Sequence, residues 1–144
     1  MSHTHYWSVR AHIPHGQWEL IRSAAERACA MVPARIAWEF DQPNRLPEFS
    51  DECIRFNGVG DNGHETFLLE RQPAEFRFCK TERKPYDALV VATLALAALH
   101  APAHVEVSSS GFDRDWQDGL ALAARANGEA VPSPLEGRFG RDVA

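Results

Sequence analysis

The segment FRFCKTERKPYDALVVATLALAALHA, residues 76–101, contains the most apolar run of this chain and the predicted centre of its core. Residues 88–99 carry no charge and only one polar side chain, Thr93. A helix that is apolar on every side has to be surrounded by protein. Pro85 suits the first helical position, and Pro102 ends the helix. We therefore expect a central helix that is fully apolar over residues 88–99.

Size and composition indicate a soluble single-domain protein. A chain of 144 residues, 44% apolar and 24% charged, can bury a core without needing disulfides or metal ions to stabilise it. The net charge of −5 gives no general reason to expect nucleic acid or an anionic membrane as partner. Cys29, Cys53 and Cys79 form no CxxC pair and favour reduced thiols. With no signal-peptide pattern and no membrane-spanning run, we expect a cytoplasmic location in a bacterial host.

Hydrophobic periodicity predicts the other elements, because strands alternate with period two and helices repeat every three or four residues. The predicted strands are 6–13, 34–40, 53–59, 64–71, 76–79 and 104–108, and the flanking helices are 17–32 and 116–126. Residues 60–63, Gly-Asp-Asn-Gly, supply the positive φ angles that a hairpin turn needs. Residues 41–51 are predicted to form an irregular loop.

This order predicts an α+β fold with a mostly antiparallel sheet and a central hairpin. The sheet is expected to pack on about three helices, one of them the apolar central helix. Residues 1–128 should form one domain. Residues 129–144 contain two prolines and two glycines with little to pack, and we expect a flexible tail there.

A basic segment directly before the central helix predicts an anion-binding site. Free backbone N–H groups and the helix dipole add to nearby side-chain cations at such a position. The predicted ligand-binding residues are Lys80, Thr81, Arg83, Lys84, Tyr86 and Ser109. The alternative is a solvated loop in which Glu82 and Asp87 neutralise two of the cations.

His64 and Glu65 form an alternative polar site after the hairpin turn. They could supply a general base, with the basic segment as a phosphate clamp. A polar hairpin tip is also explained by turn geometry alone, since Asp61 and Asn62 tolerate positive φ. A hydrolase is therefore one of three functional hypotheses.

The histidines near the N-terminus suggest a metal-binding site, but the rest of the sequence does not support one. His12 and His15 flank Pro14 at a strand end and need not share a face. His3 and His5 have the spacing of one histidine pair of two-histidine phosphoesterases, but the second pair is missing. We therefore predict no metal site and no cofactor. Cys79 lacks identifiable histidine and aspartate partners and is expected to be a buried apolar residue.

Three strings resemble a family of small uncharacterised proteins encoded by bacteriophages and prophages. They are GVGDNGHETF at 58–67, FCKTERKPYD at 78–87 and VSSSG at 107–111, followed by Asp-Trp before the last helix. In that family an FCKTxRKPYD segment and an SSDG-like turn recur around an apolar helix. Here Ser110 replaces an acidic residue and Glu82 a small one. The resemblance implies a phage or prophage origin and an intracellular role, and it assigns no activity.

The first functional hypothesis is a non-enzymatic accessory protein that binds a phosphate-bearing small molecule or a short nucleic-acid segment at the basic helix N-terminus. The second is an interaction module that docks on a host or phage protein, through an apolar patch around Trp38, Leu46 or Phe49. A homodimer is also expected, because small sheets leave an edge to cover. The third hypothesis is the hydrolase that uses His64 and Glu65.

Overall fold

The computed structural model describes residues 3–135 and has an α+β architecture in which every strand pairing is antiparallel. The predicted fold class is therefore confirmed. The strands are β1 (Thr4–Val9), β2 (Ile36–Ala37), β3 (Glu48–Phe49), β4 (Cys53–Gly58), β5 (Phe67–Glu70), β6 (Ala74–Lys80) and β7 (Val105–Ser109). The helices are α1 (His15–Met31), α2 (Asp87–His100) and α3 (Gln117–Asn127), with 3-10 turns at Gly60–Asn62 and Asp113–Trp116.

The strands divide into two sheets, where the sequence suggested one. The first sheet has the order β6-β1-β7, so the N-terminal strand lies between two strands from later in the chain. In the second sheet β4 pairs with β5 in the predicted hairpin and also with β2 and β3. The ring of Phe67 lies 5.0 Å from those of both Trp7 and Phe56 and joins the two sheets in one core.

Helix α2 occupies the interior, with nine consecutive buried residues from Leu89 to Ala97. It packs against α1, α3 and β7. The hydroxyl of Thr93 is satisfied within the helix by the carbonyl of Leu89, 2.8 Å away. Burial of each large aliphatic side chain stabilises the fold by roughly 1.5–3 kcal/mol. None of the helices in residues 3–135 combines the length and the hydropathy needed to cross a membrane.

The predicted strand 34–40 is reduced to two residues because the chain turns back on itself. The amide of Trp38 donates to the carbonyl of Arg45, 2.9 Å away. The guanidinium carbons of Arg45 and Arg55 each lie 3.4 Å from the centroid of the Trp38 ring. These contacts favour a turn after Trp38. The short strand β3 lies within residues 41–51, which were predicted to form an irregular loop.

The predicted C-terminal tail joins the core in part. Val131 and Leu135 are buried among the core residues, although the flexible tail was expected to begin at residue 129. Because this part of the chain is rich in prolines and glycines, its sequence pattern did not indicate that these two isolated apolar residues are buried. Residues 136–144 of the predicted tail lie outside the described residues.

Replacing Gly119 with alanine is expected to destabilise the fold by about 1–3 kcal/mol. A Cβ atom on Gly119 would lie 2.3 Å from Cγ1 and 2.5 Å from Cβ of Val91, so α2 and α3 would have to separate. The free-energy cost of this overlap is expected to exceed the gain in helix propensity of about 1 kcal/mol that alanine has over glycine. Denaturant unfolding followed by circular dichroism measures the change. Gly16→Ala is the control, since a Cβ there meets nothing within 4 Å; equal losses would contradict the close crossing.

Candidate functional site

The turn between β6 and α2 has an unusual backbone. Glu82 has a φ of 53° and Arg83 a φ of 57°. This left-handed conformation costs roughly 1–2 kcal/mol per residue for L-amino acids. Backbone hydrogen bonds from Lys84 to Thr81 (3.0 Å) and from Asp87 to Lys84 (2.8 Å) hold the turn. Strain of this kind persists only where surrounding contacts fix it, and it is common at binding sites.

A cavity of about 340 Å³ lies beside this turn, between the amino terminus of α2 and the start of α3. Three cationic residues and three acidic residues line it. They are Arg83, Lys84 and Arg114, and Asp87, Asp115 and Asp118. His3 forms part of the wall as well. A cavity of this size suits a small molecule.

Two of the three carboxylates already have cationic or hydrogen-bonding partners. Asp115 accepts from the guanidinium of Arg83 (2.8 Å) and from the amide of Phe112 (2.9 Å). Burial of Asp115 opposes ionisation, but these two partners outweigh it and lower the pKa of Asp115 from its ordinary value. The Arg83–Asp115 ion pair links the strained turn to the segment before α3.

Asp87 and two histidines form a cluster at one side of the cavity. Oδ1 of Asp87 lies 2.7 Å from Nε2 of His5 and 3.6 Å from Nε2 of His3. The histidine rings meet edge to face, with centroids 4.7 Å apart. Side-chain exposure is 0% for His5 and 1% for His3, against 15% for Asp87. The cluster is therefore buried, and its carboxylate reaches the cavity.

Hydroxyl groups support both ends of the cluster. The Thr81 hydroxyl donates to Oδ1 of Asp87 at 2.5 Å. Nδ1 of His5 lies 2.9 Å from Oγ of Ser109, which also accepts from the amide of Gly111 at 3.0 Å. An ionised carboxylate only accepts hydrogen bonds, so His5 donates to Asp87 from Nε2.

The electrostatics of the cluster favour an ionised Asp87. Burial of Asp87 opposes ionisation, but the nearby His3 imidazole and hydrogen bonds from His5 and Thr81 outweigh it and hold the pKa of Asp87 well below its ordinary value. Two hydrogen bonds thus support the negative charge.

His3 differs from its neighbours in keeping one ring nitrogen unsatisfied. Nδ1 of His3 is buried without a hydrogen-bond partner among the described residues. A buried polar atom left unpaired costs free energy, so such an atom in a native fold requires an explanation. The Cε1 atom beside it would lie 2.6 Å from a Cβ placed on Gly111, so the glycine is what allows the ring to sit there.

Nucleophilic catalysis does not fit this region. Ser109, His5 and Asp87 have the composition of a hydrolase triad, but Ser109 is only 4% exposed and its oxygen lies against Nδ1 of a fully buried histidine. Cys79 is buried too, and burial raises the pKa of its thiol to about 12, so a reactive thiolate is disfavoured. Neither side chain is accessible to a substrate.

The structure distributes the predicted anion-binding residues over several environments. Arg83 and Lys84 line the cavity, and Lys80 does not. Thr81 and Ser109 lie in the layer beneath it, in contact with Asp87 and His5. Tyr86 is buried and donates to the carbonyl of Glu65 at 2.5 Å, so its predicted role in ligand binding is replaced by one in packing. Its burial also raises the pKa of Tyr86.

The alternative polar site at His64 and Glu65 is used in contacts with the end of β6. Oε1 of Glu65 accepts from the amide of Lys80 at 2.8 Å, and Nδ1 of His64 lies 2.9 Å from the Lys80 carbonyl. Both residues line a neighbouring cavity of about 440 Å³, which Lys84 borders as well. This arrangement joins the hairpin connection to β6 and places His64 and Glu65 in a cavity other than that of Asp87.

Sequence reasoning missed the cluster of His3, His5 and Asp87. Within residues 3–135 it is the only group of three or more His, Cys, Asp or Glu side chains whose ligand atoms all lie within 4.8 Å of one another. The signal was present in the histidine spacing, since residues i and i+2 of a strand point to the same face. The predicted strand began at Tyr6, whereas β1 begins at Thr4 and the chain before it already carries His3 alongside β6.

Comparisons of this chain with protein-family models, with curated proteins and with solved structures gave no match. The resemblance to phage-encoded proteins stays a prediction. What the site can bind is set by the side chains and the backbone that form it.

Asp87→Ala is expected to destabilise the protein by about 3 kcal/mol, because it leaves the donors of His5 and Thr81 buried and unpaired. The free energy of unfolding, measured in urea, tests this. Asp118→Ala is the matched control, since it removes a carboxylate from the same cavity at an exposed position. Its expected cost is below about 1 kcal/mol. Similar losses for the two variants would contradict the central role of the Asp87 carboxylate.

Proposed function

We propose that this protein binds a phosphate-bearing small molecule in the cavity at the amino terminus of α2. The single observation that supports it most is the convergence of Arg83, Lys84 and Arg114 on a cavity beside a helix N-terminus. Backbone N–H groups and the helix dipole favour an anion at that position. His3 lines the same cavity.

Two cations of the cavity, Lys84 and Arg114, have no ion-pair partner among the described residues. Asp87 accepts hydrogen bonds from His5 and Thr81, and Asp115 is paired with Arg83. The remaining charged groups of the lining are the cations of Lys84 and Arg114 and the carboxylate of exposed Asp118. A phosphate held by the first two would therefore gain charge-assisted hydrogen bonds, which contribute roughly 1.5–3 kcal/mol each.

Isothermal titration calorimetry with inorganic phosphate, a nucleoside monophosphate and a short oligonucleotide tests this function. We expect the monophosphate to bind, and Lys84→Ala and Arg114→Ala to weaken it at least about tenfold, because each removes one charge-assisted contact. Lys80→Ala is the matched control, since Lys80 belongs to the same basic segment but does not line the cavity.

Two outcomes would contradict the proposal. One is an equal loss of affinity in Lys80→Ala, which would make the effect one of general charge. The other is an absence of heat with all phosphate compounds while circular dichroism shows folded protein. Tighter binding of the oligonucleotide than of the monophosphate would move the function to nucleic acid.

A second candidate function, binding of a protein partner, is supported by a row of exposed aromatic residues. Phe76 and Phe78 are 59% and 52% exposed on β6, an edge strand of its sheet. The Phe76 ring stacks on Tyr6 with centroids 5.7 Å apart and lies 6.1 Å from Phe78. This row is a more continuous apolar surface than the predicted patch, in which the Trp38 ring is covered by two arginines.

Light scattering of the protein after size exclusion tests whether a second copy is that partner. We expect a dimer that Phe76→Ser with Phe78→Ser converts to a monomer, because the variant removes apolar area from the exposed edge. Phe112→Ser, also at an exposed aromatic residue, is the control. A dimer that survives the β6 variant would place the interface elsewhere, and a wild-type monomer would leave a host or phage protein as the candidate partner.

The cellular setting that we propose is the interior of a bacterial cell, in an accessory role for a phage or its host. Cys29, Cys53 and Cys79 are all free thiols, which suits a reducing compartment. Burial raises the pKa of Cys29 and of Cys53 to about 11, so neither is predisposed to form a thiolate.

A further inference from the structure

We propose that His3, His5 and Asp87 bind a divalent transition-metal ion such as zinc. The proposal is independent of phosphate binding, because it rests on the ligand atoms themselves. Two imidazole nitrogens and one carboxylate oxygen lie within 4.8 Å of one another at a buried position. Three such protein ligands are typical of zinc sites that keep a fourth coordination position open.

Two of the three distances between the ligand atoms, those from Oδ1 of Asp87, bracket the spacing of a tetrahedral zinc site. Zinc bonds of about 2.0–2.2 Å to nitrogen and oxygen place tetrahedral ligands about 3.3–3.4 Å apart. The Asp87 Oδ1 atom lies 2.7 Å from Nε2 of His5 and 3.6 Å from Nε2 of His3. Binding would require His5 and Asp87 to separate by roughly 0.6 Å on this estimate. A rotation of side chains provides that much movement.

The lone pairs of Asp87 favour a metal as well. Hydrogen bonds from His5 and Thr81 already use Oδ1, and Nε2 of His3 lies 3.6 Å from that oxygen, beyond hydrogen-bond distance. A carboxylate oxygen has two lone pairs, so none is left for His3. A metal ion would replace both histidine contacts through one lone pair and leave the other for Thr81. Coordination would thus let Nε2 of His3 and Oδ1 of Asp87 share one ion.

The groups around the three ligands match the surroundings of a metal site. Ligating histidines almost always bond their second ring nitrogen to a carboxylate, a carbonyl or water, which fixes the ring orientation. Nδ1 of His5 contacts the hydroxyl of Ser109 at 2.9 Å, a related arrangement, and Thr81 holds Asp87. Nδ1 of His3 has no protein partner. That nitrogen would be available to a water molecule from the cavity that His3 lines.

The donor set also selects the class of metal. Imidazole ligands suit zinc, ferrous iron, nickel and copper, whereas magnesium and calcium prefer shells made of oxygen alone. His3 and Asp87 line the cavity, so the open coordination position would face it. Magnesium therefore serves as the negative control, and zinc and cobalt(II) as probes.

The test is a calorimetric titration of the full-length protein with zinc after treatment with a chelator. We expect one zinc ion per chain, a rise in melting temperature, and no comparable response to magnesium. His3→Ala and Asp87→Asn should weaken zinc binding by more than the roughly 10–100-fold that loss of an outer-shell partner costs. Ser109→Ala, which removes such a partner, should fall within that range.

His12→Ala and His15→Ala are the matched controls, because both histidines are exposed and lie outside the cluster. They should bind zinc as the wild type does. Absence of stoichiometric binding to folded wild-type protein would overturn the proposal, and so would binding that the exposed-histidine variants abolish. Should a cluster variant fail to fold, the visible spectrum of the cobalt(II)-loaded wild type decides, since coordination by these residues predicts the absorption of a four-coordinate ion with nitrogen and oxygen ligands.

Discussion

The carboxylate of Asp87 joins parts of the fold that apolar packing alone would not hold in register. It begins α2, accepts from Thr81 at the end of β6 and from His5 in β1, and through His5 it reaches Ser109 in β7. The hydrophobic effect is non-directional, so the apolar surface of α2 does not by itself fix its depth or rotation against the sheet. Directional hydrogen bonds in a low-dielectric interior do fix them, and leaving them half satisfied is costly. The polar cluster therefore determines where the cavity forms.

Local pattern was sufficient to predict the helices, the central hairpin and the α+β class, because these depend on periodicity and on turn residues. The division into two sheets could not be predicted in that way. It depends on pairings such as His5 with Cys79 and with Ser109, which are separated by more than seventy residues. Periodicity indicates which face of a strand is buried, but it does not indicate which other strands pair with that strand. The same limit explains why Ser109 was assigned to an anion site while its contact is a histidine from the other end of the chain.

The histidine cluster was missed because burial of polar residues runs against the pattern that sequence reasoning uses. His3, Thr4 and His5 are consecutive and all buried, which polarity alone argues against. Partners such as Asp87 and Ser109 for His5 offset the cost of this burial, and both are remote in sequence. The basic segment was recognised correctly as a feature of the helix start. Lys80 lies outside the cavity as the last residue of β6, where it pairs with Thr4 and donates its amide to Glu65. No residue type in TERK predicts the positive φ angles of Glu82 and Arg83.

The strain and the polar burial together argue that this region is shaped for more than stability. Two left-handed residues cost roughly 2–4 kcal/mol between them. The ion pair of Arg83 with Asp115 offsets little of that, since its arginine is 54% exposed and exposed pairs contribute at most about 1 kcal/mol. Buried polar clusters can often be replaced by apolar residues without loss of stability. A fold under selection for stability alone would therefore be expected to use a relaxed turn and apolar residues here. The strained turn instead brings the cations of Arg83 and Lys84 to the cavity, beside the buried group of His3, His5 and Asp87.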